Sequence, residues 1–304
     1  MKRAFWSFWL TPAGPTPLAW FRIGAALVGL AQLAVLWPHL DSLYGNFGLV
    51  QWVIMESGTG ELLPGLGRLA LATRHLGLGV DATLHLVFAL YGVSLVAVLL
   101  GFRARLFAFL ALAAHVLTTN SGYLSLYGVD TMLHVVLFYL CFVPASGTLS
   151  IDAWRGVATG EPSVAARIGL RTLQLHLCVI YLDAGFSKAA GEQWWTGEAL
   201  WRALMLPQFA QFDLSWLSAH PWLLALGCWA TLLIECGYAV AVWFPRVRTP
   251  WVLSLLALHA GIGVFMGLWL FSAMMIVLNV TLFLSGAAVP RAELSVAVRE
   301  PRAP

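Results

Sequence analysis

The segment YLDAGFSKAAGEQWW, Tyr181 to Trp195, sets a carboxylate and an amine, Asp183 and Lys188, at the end of a long apolar run. Lys188 is one of two lysines in the chain, the other being Lys2. An amine in such surroundings either snorkels to a nearby interface or acts as a proton acceptor, because desolvation favours its neutral form. The small residues of AGFSKAAG point to close helix packing or to a cavity beside it. A second acid, Glu235, stands in mid-run in ATLLIECGYAV, where an unpaired carboxylate takes up a proton, so a salt bridge or a functional acid is expected there.

Arg22, His85, His115, Asp130, His134, His176 and His259 are further polar groups inside apolar runs, and each is expensive in lipid unless it faces the bundle interior and finds a partner. Asp130 and His134 are four apart and share a helix face, as a proton relay or as a satisfied buried pair. His176, Ile180, Asp183 and Ser187 follow one stripe, and Tyr181, Ala184 or Gly185, and Lys188 a neighbouring one. Arg22 either snorkels, pairs with Asp130 or serves a site, whereas His85 and His115 read as hydrogen-bonded packing residues. No HxxxH or HExxH spacing occurs, so no metal is expected. There is likewise no GxGxxG fingerprint, Walker loop or nucleophile elbow. Cys141, Cys178, Cys228 and Cys236 form no CxxC pair and read as small core residues.

The elements that carry these groups follow from composition. Of 304 residues, 60% are hydrophobic and 10% charged, with a mean hydropathy of +0.82, which excludes a water-soluble globule. Runs long enough to cross the hydrocarbon layer fall at 17–37, 81–100, 104–120, 127–145, 168–188, 221–244, 250–266 and 268–286. The expected fold is an all-α polytopic transmembrane bundle of about eight spans, seven to nine if helices hide in 46–70 or 195–212. Twelve basic residues, among them Arg103, Arg105, Arg155, Arg167, Arg171, Arg246 and Arg248, fall on the side of the N-terminus. Only Arg68, Arg74, Lys188 and Arg202 fall on the other, which places both termini in the cytoplasm. The net charge of +3 reflects that topology and implies no nucleic-acid partner.

Three parts are expected: an interfacial N-terminal segment over 1–16, amphipathic and rich in Trp and Phe, a membrane domain over 17–286, and a short cytoplasmic tail over 287–304. Two extracytoplasmic connections stand out. One, Pro38 to Val80, carries Asp41, Tyr44, Asn46, Glu56 and Glu61, and the other, Ala189 to His220, carries Glu192, Trp194, Trp195, Glu198, Trp201 and Asp213. A reaction site is therefore expected to open toward the extracytoplasmic face of what reads as a bacterial inner-membrane protein.

WFRIGAALVGL, YGVDTMLHVVLFYLCFVPASGTLSID and LQLHLCVIYLDAGFSKAAGEQWWTGEALWRAL resemble the horizontally transferred transmembrane (HTTM) domain, the membrane domain shared with vitamin K-dependent gamma-carboxylase. ATLLIECGY and LHAGIGVFMGLWLFS extend the resemblance over about 15–286, and its most specific part is Tyr181, Gly185, Lys188, Trp195 and Gly197. The resemblance implies that Lys188 is the base that deprotonates a vitamin K or menaquinone-type hydroquinone. In the carboxylase, oxygenation of the resulting anion generates a strong base, which removes a glutamate γ-proton before carbon dioxide adds. Glu235, His259, Asp130 and His134 are then expected to assist, and Tyr181, Trp194, Trp195 and Arg22 to hold the quinone. The stretch TTNSGYLSLYG lacks the histidine that the carboxylase carries there, and the large lumenal domain of the carboxylase is not expected here. The expectation therefore narrows to hydroquinone oxidation or epoxidation, coupled or not to a peptide or small substrate brought by a partner protein. Two other classes stay open: a DoxX-type quinone-linked electron-transfer subunit, and a transporter or peptide-toxin maturation component.

Overall fold

The computed structural model describes residues 2–45, 47–57, 64–122 and 126–285. Asn46, Glu61 and the 287–304 tail with Arg291, Arg299 and Arg302 lie outside the described residues. In chain order the helices are α1 (Lys2–Leu10), α2 (Thr16–Leu36), α3 (Leu40–Tyr44), α4 (Trp52–Ser57), α5 (Leu66–Thr73), α6 (Val80–Leu100), α7 (Ala104–Ser121), α8 (Gly128–Leu140) and α9 (Ile151–Trp154). There follow α10 (Val164–Ala189), α11 (Glu192–Thr196), α12 (Glu198–Met205), α13 (Pro221–Ala241), α14 (Pro245–Met266) and α15 (Trp269–Asn279), the last continuing as a π-helical turn, Val280–Leu284. Among the described residues the one extended pairing is an isolated antiparallel bridge between Ala13 and Ser163.

Each of the eight apolar runs falls on a helix, and four of these helical stretches are long and apolar enough to cross a bilayer: Thr16–Tyr44, Val80–Leu100, Pro221–Ala241 and Pro245–Met266. The first is longer than its apolar run suggested. Pro38 sits at the start of a 3-10 turn, Trp37–His39, where its missing N–H costs nothing, and the chain stays helical into α3. The 127–145 run shortens to Gly128–Leu140, since Pro144 disfavours helical backbone just before it. Instead of hidden spans, 46–70 and 195–212 carry the short helices α4, α5 and α12.

α10 begins where Ser163 accepts a hydrogen bond from the Ala166 N–H, an N-cap, and the Ala13–Ser163 bridge sets its start beside the start of α2. Its 26 residues, at about 1.5 Å each, carry Lys188 to the opposite end of the bundle. The expected interfacial segment is α1, which lays Phe8 against Trp243 and under the guanidinium of Arg171.

The buried apolar residues form two clusters. One gathers α2, α8, α10, α13, α14 and α15 around Phe21, Leu133, Tyr181, Tyr238 and Leu255. The other gathers the first connection with α6 and α7 around Leu40, Leu66, Phe88 and Tyr91.

Candidate functional site

Helical spacing of four and three puts Tyr181, Gly185 and Lys188 on one stripe of α10, and that stripe faces α13. Gly185 shows why the small residues are there: a Cβ at this position would stand 2.9 Å from the Cys236 backbone nitrogen and 2.7 Å from its Sγ. The small residues thus serve close helix packing, which draws the lysine alongside α13. The Lys188 Nζ donates to Glu235 Oε2 at 2.7 Å, with the glutamate side chain 7% exposed and that of Lys188 27%.

Trp194 covers the amine from outside, its ring centroid 5.6 Å from Nζ. Trp195 turns away and donates its indole N–H to the Ala189 carbonyl, closing the end of α10. Between α11 and α12, Gly197 adopts φ +89°, and a Cβ there would meet the Ala225 backbone at 2.5 Å, so the Trp-Gly element is a turn pressed onto α13.

Beneath the ion pair lies a buried polar chain. Tyr181 Oη and His259 Nε2 are 2.8 Å apart, the Asn279 amide donates to Tyr181 Oη at 2.7 Å, and Tyr238 donates its hydroxyl to Asn279 Oδ1 at 2.8 Å. All four side chains are buried. The other imidazole nitrogen of His259, Nδ1, is buried without a hydrogen-bond partner, beside the Phe271 ring at 5.7 Å. Tyr238 and Asn279 escaped the sequence reading, which inside the apolar runs weighed charged and imidazole groups and, apart from Tyr181, passed over amides and phenols. The signal was the lone amide in IVLNVTLFL.

Among the described residues the Asp130 carboxylate has partners other than the His134 ring. Asp130 is in the first turn of α8, and its carboxylate reaches back to the Tyr127 N–H at 3.0 Å and across to the Gln32 amide at 2.6 Å. His134 is half-buried beside His115, ring centroids 4.6 Å apart, with Nε2 3.4 Å from the Thr119 hydroxyl. His115 is held by the Asp130 carbonyl at 3.2 Å and stacks on Tyr91, which fits its packing reading. His85 pairs with Asp41 at 3.5 Å, and His176 hydrogen-bonds Tyr139 at 2.7 Å. Asp183 is exposed on the outer face of α10.

Arg22 does not meet Asp130, and it stands apart from the lysine site. Fully buried near the start of α2, it donates to the carbonyls of Val98, Leu99, Ala145 and Leu149, tying the end of α6 to the connection after α8. A cavity of about 540 Å³ lies between the ends of the first two long spans, lined by Trp52, Arg68, Arg74 and Val80 among others, and Lys188 is not in its wall.

The residues brought together are thus Lys188, Glu235, Trp194, Tyr181 and His259, all but Trp194 on the long helices α10, α13 and α14. The HTTM domain family matches residues 76–287, a stretch that holds every one of them and leaves out α1 to α5 with Arg22. Searches among curated proteins and among solved structures return no match. A match over more than two thirds of the sequence, on an all-helical bundle with four bilayer-length apolar helices, makes this an integral membrane protein that belongs to the HTTM domain family.

Proposed function

We propose that the protein is a membrane enzyme that binds a lipid-soluble hydroquinone and uses the Lys188–Glu235 pair to take its phenolic proton. The observation that carries this reading is the 2.7 Å contact between a nearly buried carboxylate and an amine that keeps a quarter of its side chain open beneath Trp194.

The residues present suit a hydroquinone. An indole face flanks the amine, and the deeper His259 Nδ1 is a buried nitrogen still lacking a partner. Bound there, a hydroquinone supplies an acidic phenol and reducing electrons. Glu235 and Lys188 hold one mobile proton between them at rest, and a second proton leaves the pair with a net positive charge facing the substrate anion. If the resting proton sits on Glu235, the neutral amine accepts the second, and Lys188 is the base. The nearness of Glu235 favours a second form, in which Lys188 stays an ammonium and the carboxylate accepts the proton. Trp194 limits water at the amine, and the apolar surroundings strengthen the charge interactions.

Eight spans with both termini cytoplasmic complete the proposal, supported by the eight helices that coincide with the apolar runs and by the asymmetry of the basic residues. The site then opens to the extracytoplasmic side. A cysteine introduced at Ala158 is expected to resist a membrane-impermeant maleimide in intact cells, and labelling there would overturn the topology.

The activity itself is tested with purified protein, menadiol and dissolved dioxygen as the electron acceptor, following oxidation and product mass for the parent, Lys188→Ala and Lys188→Arg. Loss in both variants supports Lys188 as base. Partial activity in Lys188→Arg, abolished in Glu235→Gln, identifies the carboxylate instead, and undiminished oxidation in all three removes the proposal.

A further inference from the structure

At the end of the bundle opposite Lys188, three arginines converge. Arg167 and Arg171 stand in the first turns of α10, and Arg248 in the first turn of α14. With Pro17, Gln174, Trp243 and Phe283 they line a cavity of about 150 Å³ where α2, α10 and α14 begin and where α13 and the last helix end.

No carboxylate among the described residues lines this cavity. Arg171 lies within electrostatic reach of both Arg167 and Arg248, two like charges that repel it. Each guanidinium is anchored on one side: Arg167 donates to the Thr11 and Pro12 carbonyls, Arg171 to Gln174 Oε1 at 2.9 Å, and Arg248 to the Val242 carbonyl at 2.7 Å. A guanidinium has five N–H donors, so these contacts leave donors over in all three. One of them, Arg171 Nε, is buried with no hydrogen-bond partner. The rings of Phe8 and Trp243 fix the Arg171 plane at 4.3 and 5.4 Å.

Gathering three cations around a space and leaving a buried donor unsatisfied is unfavourable unless an anion enters. Planar forks of this kind match phosphate oxygens. Helices long enough to span a bilayer begin and end at this level, and α1 lies across it with Phe5 and Trp6 exposed, which is the depth of lipid headgroups.

We propose that Arg167, Arg171 and Arg248 form a binding site for the phosphate of an anionic phospholipid in the leaflet facing this end of the bundle.

Full-length protein in detergent is titrated with phosphatidylglycerol or phosphatidylcholine, and bound lipid is counted by native mass spectrometry, with inorganic phosphate as competitor. One phosphatidylglycerol is expected to bind in preference to phosphatidylcholine, more weakly at higher ionic strength. Arg171→Gln and Arg248→Gln are each expected to weaken it about five- to tenfold, with Arg171→Lys in between. Melting temperatures identify any variant that fails to fold, and Arg248→Gln, which leaves the Phe8 and Trp243 stacking intact, is the second route to the answer. Equal binding of the two lipids, or unchanged affinity in folded Arg171→Gln and Arg248→Gln, overturns the site. Phosphate binding with the same arginine dependence but no lipid selectivity overturns the lipid assignment and leaves a free-anion site.

Discussion

Arg22 and Lys188 are both cations drawn into the bundle, at opposite ends, and the fold treats them differently. Arg22 is 0% exposed and spends its guanidinium on four backbone carbonyls from two separate segments. One of those carbonyls belongs to Leu149, a non-glycine residue held at φ +52°, so the arginine fastens strained backbone. Among the described residues Lys188 has one acceptor, Glu235, and its side chain is still partly open to the outside. A cation with four hydrogen bonds to backbone carbonyls is a structural clamp. One that faces a single carboxylate, with donors left over, is positioned to exchange a proton or meet an anion.

That contrast is most sharply tested at Lys188. Lys188→Ala is expected to lower menadiol oxidation by about 10²–10⁴-fold, the range for a positioned proton acceptor, with little change in melting temperature, because Glu235 left alone protonates. A variant that loses its fold rather than its activity would put Lys188 in the same class as Arg22. Next in size, Arg22→Lys is expected to cost about 3 kcal/mol of stability or more, since an ammonium cannot reach four carbonyls laid out for a planar fork. Thermal melting in detergent reads this, and a melting temperature like that of the parent would break the comparison from the other side. Gly185→Ala is expected to cost about 1–3 kcal/mol by overpacking against Cys236 and to reduce activity as well, because the same displacement parts Lys188 from Glu235. Loss of stability with full activity per folded molecule would detach the pair from the chemistry. The smallest effect is expected at Asp130→Asn, about 1 kcal/mol for a weakened contact to Gln32 and to the α8 cap, with oxidation unchanged. A large loss of activity there would restore Asp130 and His134 as a relay.

Much of the architecture was legible because helix in a membrane is dictated by local composition. Backbone groups that cannot reach water must pair within their own segment, so a run such as 81–100 has one available structure. Lys188 and Glu235 were legible individually, as polar groups too costly to place in lipid. Their partnership was weighed from sequence only as one candidate among several, because 47 positions separate them. Gln32, Tyr238 and Asn279 were passed over, since an amide or a phenol in an apolar run costs little enough to look incidental until its partner is known. The pairing of Arg22 with Asp130 failed because carbonyl acceptors occur at every residue and leave no mark on the sequence.

What the sequence by itself determined is the class of protein: a bundle of apolar helices, with a lysine and a glutamate that need partners and small residues beside the lysine. These are properties of single segments, and burial in lipid makes each independent of the rest. What only the tertiary structure decided is which polar group answers which: Glu235 for Lys188, Asn279 for Tyr181, Gln32 for Asp130 and four carbonyls for Arg22. Each of those pairings joins helices remote in sequence at a depth set by how closely they pack. The approach of α10 to α13 at Gly185 is such a contact, and neither helix specifies it alone.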